Sequence, residues 1–367
     1  MKTYIPQIEP WIDNEELVQL KRVVQSTYVT EHELTHEFED LIKQLTGAQY
    51  AIALTNGTAA LYCCLVALDI GPGDEVIVPN LTFIATANAV LMTGATPVFC
   101  DVQPDTMCMD PAEVERLITP NTRALMPVHL YGQSADMHRL CALARDYSLK
   151  IVEDAAQGVG VKFDNKHVGT YGDLGILSFY GNKTITCGEG GIILTDDEEL
   201  RNKCYRLKNH GRSVKGVFKH EDIGYNFAFT EMQAAIGIAQ MNKLDRIIEK
   251  KNKIYDVYHA HLGNLADRLQ PVYLDPRTTP VHWFVSFLTE RKEALCTHLH
   301  DQSIGTRSFF YPLHRQPCYS HMNNECSFEV TDDLYNRGVS LPSSYHLTYD
   351  DQMRVIDSIQ EFFGKND

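Results

Sequence analysis

Tyr50-Ala51-Ile52-Ala53-Leu54-Thr55-Asn56-Gly57-Thr58-Ala59-Ala60-Leu61-Tyr62-Cys63-Cys64-Leu65-Val66-Ala67-Leu68 reads as three pieces in a row. The first five residues form a short apolar strand. Thr55 to Thr58 supply a turn and a helix cap, because short polar side chains and glycine favour both. From Ala59 onward Leu61, Leu65 and Leu68 fall on one helical face. Gly71-Pro72-Gly73-Asp74 then stops the helix.

The same alternation continues along the chain. Strands are expected at 75–78, 96–101, 123–128, 150–153, 175–178 and 191–195, and helices at 83–92, 111–118 and 137–147. Strands separated by helices require crossover connections. The expected fold class is therefore α/β, a mostly parallel central sheet covered by helices. Ligands on such sheets gather at the carboxyl ends of the strands. That rule alone points to Asn56, Thr82, His129, Asp154 and Ser178.

The texture changes further on. A charged helix at 244–262 precedes strand-like 281–288, a helix at 291–300 and an apolar segment at 305–310. The division expected is a large domain over 1–250 and a smaller α+β domain over 251–367. Two amphipathic stretches, at 15–24 and 34–45, belong to an N-terminal segment over 1–50.

The chain has 367 residues, with 33 Lys plus Arg against 48 Asp plus Glu, a formal net charge of −15. An acidic balance of that size argues against a nucleic-acid or anionic-membrane surface. A local pocket for one phosphorylated small molecule remains compatible with it. No run of about 18 apolar residues suggests a membrane span. The first residues carry no apolar leader. Ten cysteines are scattered without a CxxC pair, which reads as reduced thiols in a cytoplasmic protein.

Three segments can carry chemistry. In Ile151-Val152-Glu153-Asp154-Ala155-Ala156-Gln157 an acidic residue ends a buried strand. A carboxylate there has little water and needs a cationic partner, for which a protonated pyridine nitrogen would serve. A helix N-cap is the plainer alternative. In Ser178-Phe179-Tyr180-Gly181-Asn182-Lys183 a lysine follows a strand among small and polar residues. Held in a low-dielectric pocket, it can lose its proton and form a Schiff base, although most lysines lie on the surface. The glycines at 188, 190 and 191 match no nucleotide fingerprint and let the backbone turn beside a ligand. In Thr55-Asn56-Gly57-Thr58 a helix opens directly after a strand, which suits an anion or an ordinary turn. Phosphate site, carboxylate and lysine, in that chain order, form the pattern of fold type I pyridoxal-phosphate (PLP) enzymes.

His32-Glu33-Leu34-Thr35-His36 fits the HExxH pattern of zinc proteases. Zinc needs a third protein ligand. The extended-motif position is Ile42, and no glutamate occurs between Glu39 and Glu75. Two surface histidines on an acidic helix are the plainer reading, and no metal is expected.

With these segments in place, the chain resembles the DegT/StrS-type nucleotide-sugar aminotransferases over nearly its whole length. Within them it is most similar to the GDP-perosamine synthases. The resemblance is carried by residues 71–79 (GPGDEVIVP), 126–133 (MPVHLYGQ), 180–191 (YGNKTITCGEGG), 224–227 (GYNF), 233–240 (QAAIGIAQ) and 306–314 (TRSFFYPLH).

It implies the fold type I PLP-transferase architecture, with PLP as cofactor and Lys183 as the Schiff-base lysine and proton carrier. Asp154 becomes the partner of the pyridinium nitrogen, Phe83 the plate over the ring and Gln157 the neighbour of its phenolic oxygen. Gly57, Thr58 and Ser178 become phosphate ligands. Asn226 resembles the asparagine that reaches the phosphate of a neighbouring subunit, which implies a homodimer with shared active sites. Arg307 and His314 match the substrate-side segment, and Arg307 suits a diphosphate. His129 is a supporting candidate only. The N-terminal segment resembles the part of the family that approaches the substrate pocket.

The implied reaction moves an amino group from glutamate to a keto group of a nucleotide-linked 4-keto-6-deoxy sugar. GDP-4-keto-6-deoxymannose is the expected acceptor, and UDP- or dTDP-linked keto sugars are the alternative. Gln157 stands where perosamine synthases carry glutamate, and residues 26–31 depart from their pattern. Both positions bear on the sugar rather than on the reaction. A sugar dehydratase on the same scaffold would carry histidine in place of Lys183. A non-catalytic regulator would need a basic face or a DNA-binding appendage, and the sequence shows neither.

Overall fold

The structure is a computed structural model and describes residues 3–214, 216–322 and 327–364. Met1, Lys2 and Cys326 lie outside these residues. The central sheet has seven strands: β1 (Tyr50–Leu54), β2 (Glu75–Pro79), β3 (Thr96–Cys100), β4 (Thr122–Leu125), β5 (Lys150–Asp154), β6 (Leu174–Ser178) and β7 (Gly191–Thr195). Their spatial order is β1-β7-β6-β5-β4-β2-β3. The four pairings among β2 to β6 are parallel, while β7 runs antiparallel to both β1 and β6. The mostly parallel sheet is thus observed, with one reversed strand.

Both faces are covered, so the inner strands are apolar almost throughout. All five residues of β6 and of β7 are buried. Gly57–Ala67 follows β1 as a helix, and Asn56 caps it by accepting the Ala59 N–H at 2.9 Å. The Asp74 carboxylate accepts the Gly71 N–H at 3.0 Å and fixes the turn into β2.

One helix, Glu231–Leu262, runs for 32 residues. It opens thirteen residues before the helix expected at 244. Thr230 and Gln233 form a capping box at its start. The expected division near residue 250 falls inside it. Beyond its midpoint Ile254, Tyr258 and Leu262 join Ile5, Phe287, Val339 and Ile356 in a separate apolar core. A second sheet of four short strands, Gln270–Pro271, Val285–Leu288, Gly338–Leu341 and Arg307–Ser308 in that order, lies over this core.

The nine described cysteines are all free thiols. Among the described residues no helix is long and apolar enough to cross a membrane.

Candidate functional site

The carboxyl ends of β1, β2, β5 and β6 open into one cavity of about 580 Å³. Its lining includes Asn56, Gly57, Thr58, Phe83, Asp154, Gln157, Ser178, Lys183 and Arg307. Residues from distant parts of the sequence therefore meet where the strand-end rule places a ligand.

Asp154 ends β5 and is buried. One carboxylate oxygen accepts the Thr86 hydroxyl at 2.7 Å, and the other accepts the Ala156 N–H at 3.2 Å. Burial raises its pKa, with these two hydrogen bonds and Lys183 working against the rise. Among the described residues no ion pair involves it. A carboxylate in this position stabilises a cation brought by a ligand.

Lys183 lies in the loop after β6, with Nζ 4.3 Å from the centre of the Trp283 ring. Burial pushes its pKa down to about 8; Asp154 opposes the change and Arg307 adds to it. Part of the population therefore carries a free amine near neutral pH. That is what a nucleophilic lysine needs.

The helix Gly57–Ala67 points its first amides into the cavity. First-turn amides have no intrahelical acceptor. A Cβ on Gly57 would lie 3.2 Å from Ser178 Cβ and 3.4 Å from its Oγ. Glycine therefore lets the helix start approach Ser178 closely, where both line the cavity. Thr58 lines the same end.

Phe83 is half exposed, and its ring faces Phe310 with centroids 5.8 Å apart. Gln157 is buried, and its Oε1 accepts the Tyr131 N–H at 2.7 Å. That bond fixes the amide and leaves Nε2 as the end able to donate. Arg307 stacks over Phe284 at 5.3 Å and forms no ion pair among the described residues.

Two expected site residues lie elsewhere. The His314 backbone N–H donates to Asn80 Oδ1 at 2.9 Å, and its Nδ1 lies 2.7 Å from Asn80 Nδ2. Its ring packs on Phe328, outside the cavity lining. Asn226 is exposed, and its Oδ1 accepts a long hydrogen bond from the Ala228 N–H at 3.5 Å. Nor does any described residue of 3–50 line the cavity. His129 stays behind the site, its backbone N–H donating to the Asp154 carbonyl at 3.2 Å.

The HExxH segment has a structural role. His32 precedes the helix Glu33–Thr46, and Glu231 accepts the N–H groups of His32, Leu34 and Thr35 at 2.8 to 2.9 Å. Among the described residues no group of three or more His, Cys, Asp or Glu side chains could hold a metal. The pattern here marks a helix start capped from outside by Glu231.

Sequence reading missed Thr86, Trp283, Tyr180, Glu189 and Phe310. Thr86 carried a usable signal, as a polar residue one turn after Thr82 in an apolar helix. Trp283 carried none beyond its rarity.

The chain matches the DegT/DnrJ/EryC1/StrS aminotransferase family over residues 10–360. It is 39% identical to a GDP-perosamine synthase of Escherichia coli O157:H7, with 98% of this chain and 99% of the relative covered. It is 34% identical to the spore coat polysaccharide biosynthesis protein SpsC of Bacillus subtilis, covering 98% and 97%. Among solved structures it is similar to S. venezuelae DesV in complex with a ketimine intermediate, at TM-score 0.94 and 34% identity over 100% of both chains. NtdA of Bacillus subtilis, with bound cofactor PMP, matches at TM-score 0.90 and 31% identity, covering 96% of this chain and 82% of that one.

Proposed function

This chain belongs to the DegT/DnrJ/EryC1/StrS aminotransferase family, and from that premise we propose that it moves an amino group from glutamate to C4 of GDP-4-keto-6-deoxymannose. It is a PLP-dependent sugar aminotransferase with a fold type I architecture. The nucleotide, the sugar and the position aminated are the proposed part. The GDP-perosamine synthase relatives at 34–39% identity support them.

The residues present fit the cofactor. Asp154 is a buried carboxylate that forms no ion pair among the described residues, as suits a partner of a ring nitrogen. The helix start at Gly57, with the Thr58 and Ser178 side chains beside it on the cavity wall, suits a phosphate. Phe83 offers an exposed ring face, and Gln157 an amide donor. When bound, PLP supplies an electron sink that lets an amino group pass between carbon skeletons.

The chain's own groups do the rest. Asp154 keeps the ring nitrogen protonated. Lys183 Nζ binds the cofactor and then carries a proton, taking it from the donor's α-carbon and delivering it to the sugar carbon that gains the amine. Arg307, with Cζ 5.3 Å from the Phe284 ring centre and no ion pair among the described residues, is proposed to bind the substrate's diphosphate. His314, on the same segment, is proposed to act from the substrate side, beyond the cavity wall.

Asn226 is proposed to serve the neighbouring subunit of a homodimer. In support, Phe218 and Ile223 near it are 84% and 86% exposed, an apolar surface that a second copy would cover. A large domain over 1–250 and a small one over 251–367 are proposed to frame the cleft. A cytoplasmic location is proposed from the free thiols.

One observation carries the reading: a single cavity holds both a buried carboxylate of raised proton affinity and a lysine of lowered proton affinity. The test incubates the protein with PLP, glutamate and GDP-, UDP- or dTDP-linked 4-keto-6-deoxy sugars in turn. Mass spectrometry should find an amino sugar and 2-oxoglutarate with the GDP-linked compound. Amination of another nucleotide's sugar would overturn the substrate, and amination of none would overturn the substrate class.

A further inference from the structure

Trp283 is 2% exposed and touches the lysine loop in two ways. Its indole Nε1 donates to the Asn182 carbonyl at 2.6 Å, one residue before Lys183. Its ring face receives Lys183 Nζ at 4.3 Å. The indole itself is tightly held. Phe284 stacks on it with centroids 4.0 Å apart and planes 21° off parallel.

Its backbone is held as well. The Trp283 N–H donates to the Val281 carbonyl at 2.7 Å. Its carbonyl accepts Lys251 Nζ at 3.1 Å. Lys251 is itself buried in the long helix, and its second hydrogen bond goes to the Ser343 carbonyl at 3.2 Å. Among the described residues no carboxylate pairs with it. A buried ammonium without a counter-ion is costly, so its two bonds have to be good ones.

We propose that Trp283 is a positioning residue for Lys183, anchoring the lysine loop through the Asn182 carbonyl and offering its ring face to the ammonium form of the lysine. The inference rests on the proposed role of Lys183. A cation over an indole face is favoured, the more so away from water. The ring therefore works on the same side as Asp154, favouring the ammonium, and against burial and Arg307. Those are the charged groups that face Nζ. The lysine can leave the cofactor as an ammonium without losing its place, because the indole N–H ties down the adjoining peptide.

The test compares wild type, Trp283→Phe and Trp283→Leu as full chains stripped of cofactor. Trace acetylation across a neutral-to-alkaline pH series, read on the Lys183 peptide by mass spectrometry, gives the midpoint at which the amine becomes reactive. Trp283→Leu should lower that midpoint by about one unit. Trp283→Phe keeps a smaller ring and should fall between the two. In both variants the amides of 182–185 should exchange faster, since the indole donor is gone.

A purely structural tryptophan would change the melting temperature and leave the midpoint alone. An unchanged midpoint in folded Trp283→Phe overturns the proposal, and this variant decides alone if Trp283→Leu does not fold. The measurement needs neither cofactor nor turnover. If Lys183→Ala loses PLP binding while Trp283→Phe shows no shift, the inference falls and the function stands.

Discussion

His129 Nε2 donates to Glu153 Oε2 at 3.0 Å, with both side chains fully buried one peptide away from Asp154. Glu153 also accepts the N–H groups of Gly169, Tyr171 and Gly172. Burial opposes its ionisation, yet His129 and these amides hold its pKa below the ordinary value. The carboxylate thus fixes the 169–172 loop and the strand end that presents Asp154.

Replacing Glu153 by Ala would strand one imidazole and three amides. The expected cost is about 3–5 kcal/mol, read as a drop in denaturant midpoint. Because the folded pKa lies below the unfolded one, its contribution is present above the ordinary carboxylate range. It is lost as pH falls through the folded value.

Asp154→Asn separates stability from chemistry. The variant should bind PLP more weakly and lose at least about 10²-fold in turnover, measured by bound-cofactor absorbance and amino-sugar formation. The cofactor-free protein should melt no lower than wild type, because a buried charge disfavoured by its desolvation has been removed. A large fall in the apo melting temperature would contradict the assignment.

Lys183→Ala should abolish turnover, a loss beyond about 10³-fold, and leave the circular dichroism spectrum unchanged. Among the described residues its Nζ meets the Trp283 face and forms no hydrogen bond, so truncation strands none there. Residual wild-type turnover would remove Lys183 from the mechanism.

His282 supplies a pH dependence of the same sign in a higher window. Burial pushes its pKa down to about 4, with His259 and Lys251 adding to the shift. The folded state therefore binds fewer protons than the unfolded state between about pH 4 and 6.5. Stability should fall as pH drops through that window, by on the order of 3 kcal/mol. His282→Gln should flatten the curve in urea melts.

A chelator should change neither turnover nor melting temperature. His32 sits at the N-cap with non-helical backbone, ahead of the helix Glu33–Thr46, so it and His36 do not stand one turn apart on a helix face as zinc ligands of an HExxH motif do. A stoichiometric zinc found by elemental analysis would reopen that assignment.

The strands of the central sheet were legible because each is an apolar run between turn residues, and their bounds fell within a few residues. The reversed direction of Gly191–Thr195 was not legible, since an apolar strand reads the same either way. The first half of the long helix was overlooked for a compositional reason. Residues 234–239 are small and apolar, and Gly237 lies where a Cβ would come within 2.7 Å of the Phe38 ring. The Thr230–Gln233 capping box was the signal to use.

The strand-end rule reached Asp154, Ser178 and Asn56 from the pattern alone. Phe83, Gln157 and Arg307 needed the family resemblance. Trp283 was out of reach for both, because its partner Asn182 lies about a hundred residues back along the chain.

The helix Glu231–Leu262 spans about 48 Å at 1.5 Å per residue. Glu231 at its first turn caps an N-terminal helix, Lys243 pairs with Glu16, Lys251 grips Trp283, and Tyr258 bonds the Pro342 carbonyl. Four distant stretches of chain are therefore keyed to one axle. Adding a single residue at its middle would turn every later attachment by about 100°. The length of this rod, more than its composition, is what natural insertions and deletions must leave alone.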